Sequence, residues 1–325
     1  MHVGIVIPVL NDWVSLSQLI GEVQNLDRAE GVEFSIYVID DGSSEPAVVQ
    51  LPPGVRGHIR EIEIITLACN LGHQRAIAVG LVAVATRSDL DAVLIMDADG
   101  EDRPADIPRL LEAATRHAGH IICAQRQHRP GLVAFHFFYS CYKFLFRLLT
   151  GVRIEFGNFC LIPKQAVGAL VSNSSVWNNL PGTLVRSRLP IVKLPLDRGV
   201  RYAGKSKMGF VPLVMHGLSA MAVYNDIVTV RLMIATVAIS AILIVGILWV
   251  IFIKTFTTLA IPGWATSAVG ILLIILMQAL VLFMSSAFTV MSARSMKAVV
   301  PKLDAPAYVL SRKKLVSSAT SEAAE

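Results

Sequence analysis

The sequence predicts an α/β protein, a mostly parallel sheet with helices on both faces, followed by a C-terminal two-helix transmembrane hairpin. Three observations carry that expectation. Apolar strand-like runs alternate with helical periods over the first two-fifths of the chain. Polar residues cluster at the carboxyl ends of those runs, where open α/β sheets bind ligands. Residues 227–291 carry almost no charge, although the 325-residue chain is 16% charged and 54% hydrophobic overall.

Strands are expected at 3–9, 34–40, 62–68, 92–97 and 120–124, with another at 191–196. The aromatic-rich stretch 132–149, with Lys143 and Arg147 interspersed, reads as a helix packed on the core or lying on a membrane surface. These elements define a domain over 1–207. Residues 208–226 follow as an interfacial amphipathic helix, 227–292 as the membrane hairpin and 293–325 as a cytoplasmic tail, with 316–325 disordered.

The runs 228–253 and 266–290 are each long enough to span, because about 20 apolar residues rising 1.5 Å apiece cross roughly 30 Å of hydrocarbon. Neither has the one-sided period of a helix buried in a soluble core. Lys205, Lys207 and Arg231 lie at or before the start of the first run, and Arg294, Lys297, Lys302, Arg312, Lys313 and Lys314 follow the second, whereas the connection offers only Lys254. The positive-inside bias therefore puts both termini and the N-terminal domain in the cytoplasm, at the inner membrane. Residues 3–10 are short, lack a basic leader and run into Asn11 and Asp12, unlike a secretory signal. The net charge of +5 is assigned to topology and anionic headgroups rather than nucleic acid. Cys69, Cys123, Cys141 and Cys160 show no metal spacing and are read as packing residues of a reducing compartment.

The strand ends hold the candidate chemistry. Pro8, Val9, Asn11 and Asp12 close the first strand, Asp40, Asp41, Gly42 and Ser43 the second, Asn70 and Gly72 the third, and Asp97 and Asp99 the fourth. A turn after the fourth strand lets Asp97 and Asp99 approach one hard cation, Mg²⁺ or Mn²⁺, with Glu101 offering a third oxygen. Such a cation neutralises a diphosphate leaving group. Each motif alone is equally an ordinary acidic turn or cap; their conjunction at strand spacing is far more specific.

The segments IPVLND, VIDDGSS, NLGHQRAIAVGL, MDADGEDRPADIP, AQRQHR and RYAGKSK occur in an order that resembles the inverting GT-A glycosyltransferases of family 2. The likeness is to the polyprenyl-phosphate group, related to dolichyl-phosphate mannose synthase and undecaprenyl-phosphate glucosyltransferases, and it covers nearly the whole chain. The resemblance implies a nucleotide-sugar pocket at Pro8, Val9, Asn11, Asp40, Asp41, Asn70, Gly72 and Asp97, with a UDP-sugar the commoner bacterial donor. It implies a metal and diphosphate site at Asp97, Asp99 and Glu101, and catalytic roles for Asp97, Asp99, Arg126 and Asn158. Arg126, Arg129, Arg201, Ser206 and Lys207 match positions that hold phosphates of the donor or of the lipid acceptor, undecaprenyl phosphate in the bacterial case. The product would be a lipid-phosphate-sugar for envelope glycan modification, and self-association is left open.

Two departures stand out: Asp12 occurs where relatives usually have Glu, and Asn158 where many have Asp. An amide cannot accept a proton, so Asn158 is no general base. A phosphate acceptor hardly needs one, since its second pKa is about 6. The rivals are a same-fold transferase acting on a hydroxyl and a non-catalytic membrane scaffold that retains the fold. The downstream Gln-x-x-Arg-Trp signature usual in the first is missing, and the preserved carboxylates argue against the second.

Overall fold

The computed structural model describes residues 1–26, 31–47, 49, 58–126, 133–203, 210–258 and 261–317, with side chains at all of these except 133–139, 210–213 and 316–317. The described elements are strands β1 (His2–Val9), β2 (Glu33–Asp40), β3 (Ile59–Leu67), β4 (Ala92–Ile95), β5 (Ile121–Arg126), β6 (Cys160–Pro163), β7 (Ile191–Leu196) and β8 (Val309–Ser317). Helices are α1 (Trp13–Gln24), α2 (His73–Ala85), α3 (Ile107–Arg116), α4 (Val133–Thr150), α5 (Lys164–Val171), α6 (Leu180–Arg186), α7 (Phe210–Ala222), α8 (Asn225–Phe256), α9 (Trp264–Ser295) and the single turn α10 (Pro301–Asp304).

The eight strands form one sheet in the order β7-β5-β6-β4-β1-β2-β3-β8. β1 runs parallel to β2 and β4, β2 to β3, and β5 to β7. β6 is antiparallel to both β4 and β5, and β8 to β3. Six strands thus share one direction and two are reversed. The expected architecture, a mostly parallel sheet with helices on both faces and two apolar helices near the C-terminus, is observed.

Strands covered on both faces read as continuous apolar runs, and β1 and β2 do so. Ile5, Ile7, Ile36 and Val38 pack on one face with Leu16, Leu19, Ile20 and Val23 of α1 and Leu110 of α3. Val6, Tyr37 and Ile39 pack on the other with Ile77, Leu81 and Val84 of α2 and Leu170 of α5. The side-chain period of two sends neighbours to opposite faces, so a slip of one residue would exchange the two cores.

The chain divides into two compact units, residues 1–136, 154–223 and 298–325 in one, and 137–153 with 224–297 in the other. The expected tail at 293–325 is therefore corrected. From Ala298 the chain belongs to the sheet-bearing unit, where Ala305 is fully buried and the ring of Tyr308 packs on Trp177 at 5.5 Å. β8 then closes the β3 edge, with Arg312 at 3.8 Å from Glu63 and Lys314 at 3.6 Å from Glu61. Pairing of edge-strand amides outweighs the small polar composition that suggested disorder, and Arg312, Lys313 and Lys314 leave the new edge charged, which discourages further strand addition. Residues 318–325 lie outside the described residues. The packing role expected of the cysteines is also corrected in part: Cys123 and Cys160 are buried, but Cys69 and Cys141 are exposed, because one ends a strand in a turn and the other lies on an outward helical position.

In the second unit α8 and α9 have mean hydropathies of 2.8 and 2.6 over their most apolar windows, yet only 6% of each window is buried. A core helix would be covered, so exposure of this much apolar surface marks helices long and apolar enough to cross a membrane. They pack closely at Gly246, where an added Cβ would lie 3.7 Å from Leu272 Cδ1. Trp249, Phe252 and Phe256 stack at the end of α8, and Trp264 opens α9, an aromatic group of the kind found at a bilayer interface. Arg231 donates to the carbonyl of Leu148 at 2.7 Å and so completes the C-terminus of α4.

Candidate active site

Because six strands share one direction, Val9, Asp40, Leu67, Ile95, Arg126 and Leu196 all end at one edge of the sheet. Reversed β6 begins at that edge, which brings Asn158 to it as well. This topology collects residues spread over the sequence from Val9 to Arg201 into one crevice.

The turn after β4 is built by two glycines. Gly100 has φ +86°, and a Cβ there would lie 2.7 Å from the ring of Tyr202; a Cβ on Gly199 would lie 2.1 Å from the carbonyl oxygen of Gly100. The two backbones therefore touch, joined by Gly199 N–H donating to Glu101 O and Tyr202 N–H to Asp99 O, each at 2.9 Å. This contact lays two arginines on the acidic turn. Arg201 reaches Asp99 at 3.2 Å and Asp12 at 3.4 Å, and Arg198 pairs with Glu101.

Below them Asp102, 2% exposed, accepts from Arg126 at 2.7 Å and from the Asp97 peptide N–H at 3.0 Å. Burial pushes the Asp102 carboxyl up to about 6 and, with nearby Asp99 adding to it, pushes Asp97 up to about 7. Burial also raises Asp99. Burial works against the charge on Arg126, but Asp102, Asp97 and Glu101 together outweigh it and hold the guanidinium more firmly protonated.

The side of the crevice formed by the β1, β2 and β3 ends is ordered by backbone amides. Asp41 accepts from Leu71 N–H at 2.7 Å and Gly72 N–H at 2.9 Å, and Asp40 accepts from Ser43 N–H at 2.9 Å. Both carboxylates are nearly buried and hold the loops on which Asn70 is exposed. Asn11, in left-handed backbone at φ 51°, donates its N–H to Ser43 Oγ at 2.9 Å and accepts from Glu45 N–H at 3.1 Å. Gly72, at φ +88°, caps the N-terminus of α2, whose positive end faces the crevice. Pro8 and Val9 are buried at the end of β1.

Thus Pro8, Val9, Asn11, Asp40, Asp41, Asn70, Gly72, Asp97, Asp99, Glu101, Arg126, Asn158 and Arg201 lie at one edge, while Arg129, Ser206 and Lys207 lie outside the described residues. Sequence reasoning missed Asp102, Arg198 and the pair His73 and Gln74. Asp102 follows Glu101 directly, and a carboxylate facing a partly buried arginine was findable only once β5 was known to run beside β6. Asn158 donates to His73 Nε2 at 3.0 Å and accepts from Gln74 at 3.0 Å. His73 lies 3.3 Å from Asp97 Oδ1, and burial lowers its pKa.

The donor set suits a hard cation shared with a diphosphate. Asp97 Oδ1 is buried and accepts no hydrogen bond among the described residues, an expensive state for a carboxylate oxygen unless a ligand satisfies it. Among the described residues no three His, Cys, Asp or Glu side chains gather as a self-sufficient cage. Glu101 is turned to Arg198 and Arg126. This agrees with Mg²⁺-like ions, which take one or two carboxylates and complete their shell with water and substrate phosphate.

An α/β sheet whose strand ends gather carboxylates and guanidinium groups in one crevice suits group transfer, and the chain belongs to glycosyl transferase family 2, whose model matches residues 4–168. It is similar to the undecaprenyl-phosphate 4-deoxy-4-formamido-L-arabinose transferase of Klebsiella pneumoniae (strain 342), at 28% identity over 222 residues, 65% of this chain and 64% of the relative. The chain thus spans less than two thirds of that curated relative. Among solved structures it is similar to the glucosyl-3-phosphoglycerate synthase of Mycobacterium tuberculosis in complex with Mn²⁺, UDP-glucose and phosphoglyceric acid, at 16% identity and TM-score 0.49, covering 70% of this chain and 79% of that one. A further likeness is to the mannosyl-3-phosphoglycerate synthase of Rubrobacter xylanophilus, at 15% identity and TM-score 0.45, covering 69% and 72%.

Proposed function

We propose that this protein is a membrane-anchored, inverting glycosyltransferase that moves a sugar from a nucleoside diphosphate sugar, UDP the first candidate base, to a polyprenyl phosphate at the cytoplasmic membrane face. The observation that carries the reading is the meeting of the Asp97 and Asp99 turn with Arg126 and Arg201, in a chain that also bears two exposed apolar helices of 32 residues each. The name of the Klebsiella relative supports the lipid phosphate.

Asn70 and the amide-rich loops ordered by Asp40 and Asp41 receive the nucleoside. Asp97 and Asp99 would hold the Mg²⁺ or Mn²⁺, which when bound supplies charge neutralisation to the diphosphate. Arg126 and Arg201, with planar donor forks, bind phosphate and orient the acceptor. An acceptor phosphate oxygen donates an electron pair to the anomeric carbon as the bond from that carbon to the diphosphate breaks; the pair leaves on the nucleoside diphosphate and the anomeric centre inverts. A dianionic phosphate has no proton to lose, so Asn158 need not act as a base. The excess of cations flanking α8 and α9 supports the cytoplasmic placement.

The test is transfer of label from a panel of nucleotide sugars to polyprenyl phosphate by the full-length protein in nanodiscs, with and without Mn²⁺. A lipid product that needs the cation and falls about 10³-fold in Asp99→Ala supports the reading. Donor binding with no lipid product from any sugar contradicts it.

A further inference from the structure

The Asn158 side chain sits in a hydrogen-bonded chain whose direction is set by one peptide group. Leu180 N–H donates to Gln74 Oε1 at 2.8 Å. A peptide nitrogen can only donate, so the opposite end of Gln74 is its NH₂, which donates to Asn158 Oδ1 at 3.0 Å. Asn158 must then present its own NH₂ to His73 Nε2, 3.0 Å away. That nitrogen accepts, so the neutral ring carries its proton on Nδ1. Asp97 Oδ1 lies 3.3 Å from the same Nε2 and receives no proton from it, in keeping with its lack of any hydrogen bond among the described residues. Gln74 is 8% exposed, and its two polar ends have no freedom to exchange without opposing two donors at Leu180.

We propose that Gln74, acting through Asn158, locks His73 in the Nδ1–H tautomer and thereby keeps Asp97 Oδ1 open for the diphosphate-bound cation. Gln74 and Asn158 are positioning residues in this scheme. The clause about the cation rests on the transfer reading above, but the tautomer does not. A carboxylate at position 158 reverses the chain, because it accepts from both neighbours. His73 must then carry its proton on Nε2, where the one N–H is shared between the carboxylate at position 158 and Asp97 Oδ1, 3.3 Å away, and the metal oxygen is no longer free. Asn158 is on this account the member of a matched set with His73 and Gln74 rather than a decayed base.

The experiment reads the tautomer directly. Full-length protein labelled with ¹⁵N-histidine, in nanodiscs without nucleotide or metal, shows the ring nitrogens of its 8 histidines, with His73 assigned by loss of its signals in His73→Gln. The wild type is expected to show Nδ1 protonated and Nε2 bare. Asn158→Asp and the isosteric Gln74→Glu are each expected to move the proton to Nε2 and to weaken Mn²⁺ binding, titrated in the presence of UDP, about 10-fold or more. That direction is the reverse of what an added negative charge alone would do. An Nε2–H tautomer in the wild type, or an unchanged tautomer or Mn²⁺ affinity in Asn158→Asp, overturns the proposal. Failure to transfer sugar to lipid leaves the tautomer result standing and sinks only the transfer reading.

Discussion

The sheet-bearing unit and the helical unit use the same side chains to opposite ends. Ile36 in β2 is fully buried, whereas Ile242 in α8 is 70% exposed. In the first unit apolar surface is removed from water by the protein itself; in the second it is left exposed on helices long enough to cross a membrane. The difference teaches that residue type says little about burial until period and run length are considered, since β2 is eight residues long and α8 thirty-two.

The comparison breaks most visibly if the two isoleucines respond alike. Ile36→Ala is expected to cost about 2–5 kcal/mol of stability through lost burial and a residual cavity, measured by denaturant unfolding of the solubilised protein. Ile242→Ala should stay within about 0.5 kcal/mol in the same assay. Next in size is Gly199→Ala. Its Cβ would meet the Gly100 carbonyl at 2.1 Å, so the arginine-bearing segment must retreat from the acidic turn, and sugar transfer should fall roughly 100-fold with a smaller change in thermal midpoint.

A pH titration sharpens the contrast further. Burial pushes the Asp97 and Asp102 carboxyls up to about 7 and about 6, above the ordinary aspartate value of 3.8. Between pH 4 and those values the folded chain binds protons that the unfolded chain has released, so stability rises as pH falls from about 8 to about 5. Differential scanning calorimetry of metal-free protein should show this upward shift, flattened by Mn²⁺ and nucleotide. The smallest effect expected is Arg312→Ala, a half-exposed partner of Glu63, at no more than about 1 kcal/mol.

Much of this was legible in the sequence, for physical reasons that also explain the gaps. Strands β1, β2 and β7 are bounded by turn-forming residues, and their apolar runs end where Asn11, Asp41 and Arg198 begin. Both long helices were legible from charge depletion alone. β6 was not, because four residues following Phe159 have no period to read, and its reversed direction is what carries Asn158 to the site. β8 was hidden by its basic solvent face; its place depends on the distant β3 edge. At the site, Asp97, Asp99 and Arg126 could be named from motifs, but Asp102, His73 and Gln74 owe their roles to partners far away in sequence, such as Gln74 with Leu180.

The account turns on a phosphate acceptor that needs no base, and the most direct measurement compares initial rates with a polyprenyl phosphate and with the corresponding polyprenol at equal membrane density. The account predicts sugar transfer to the phosphate and none to the alcohol. Comparable rates for the alcohol would contradict it, since a hydroxyl acceptor must give up a proton and the account assigns no residue to take it.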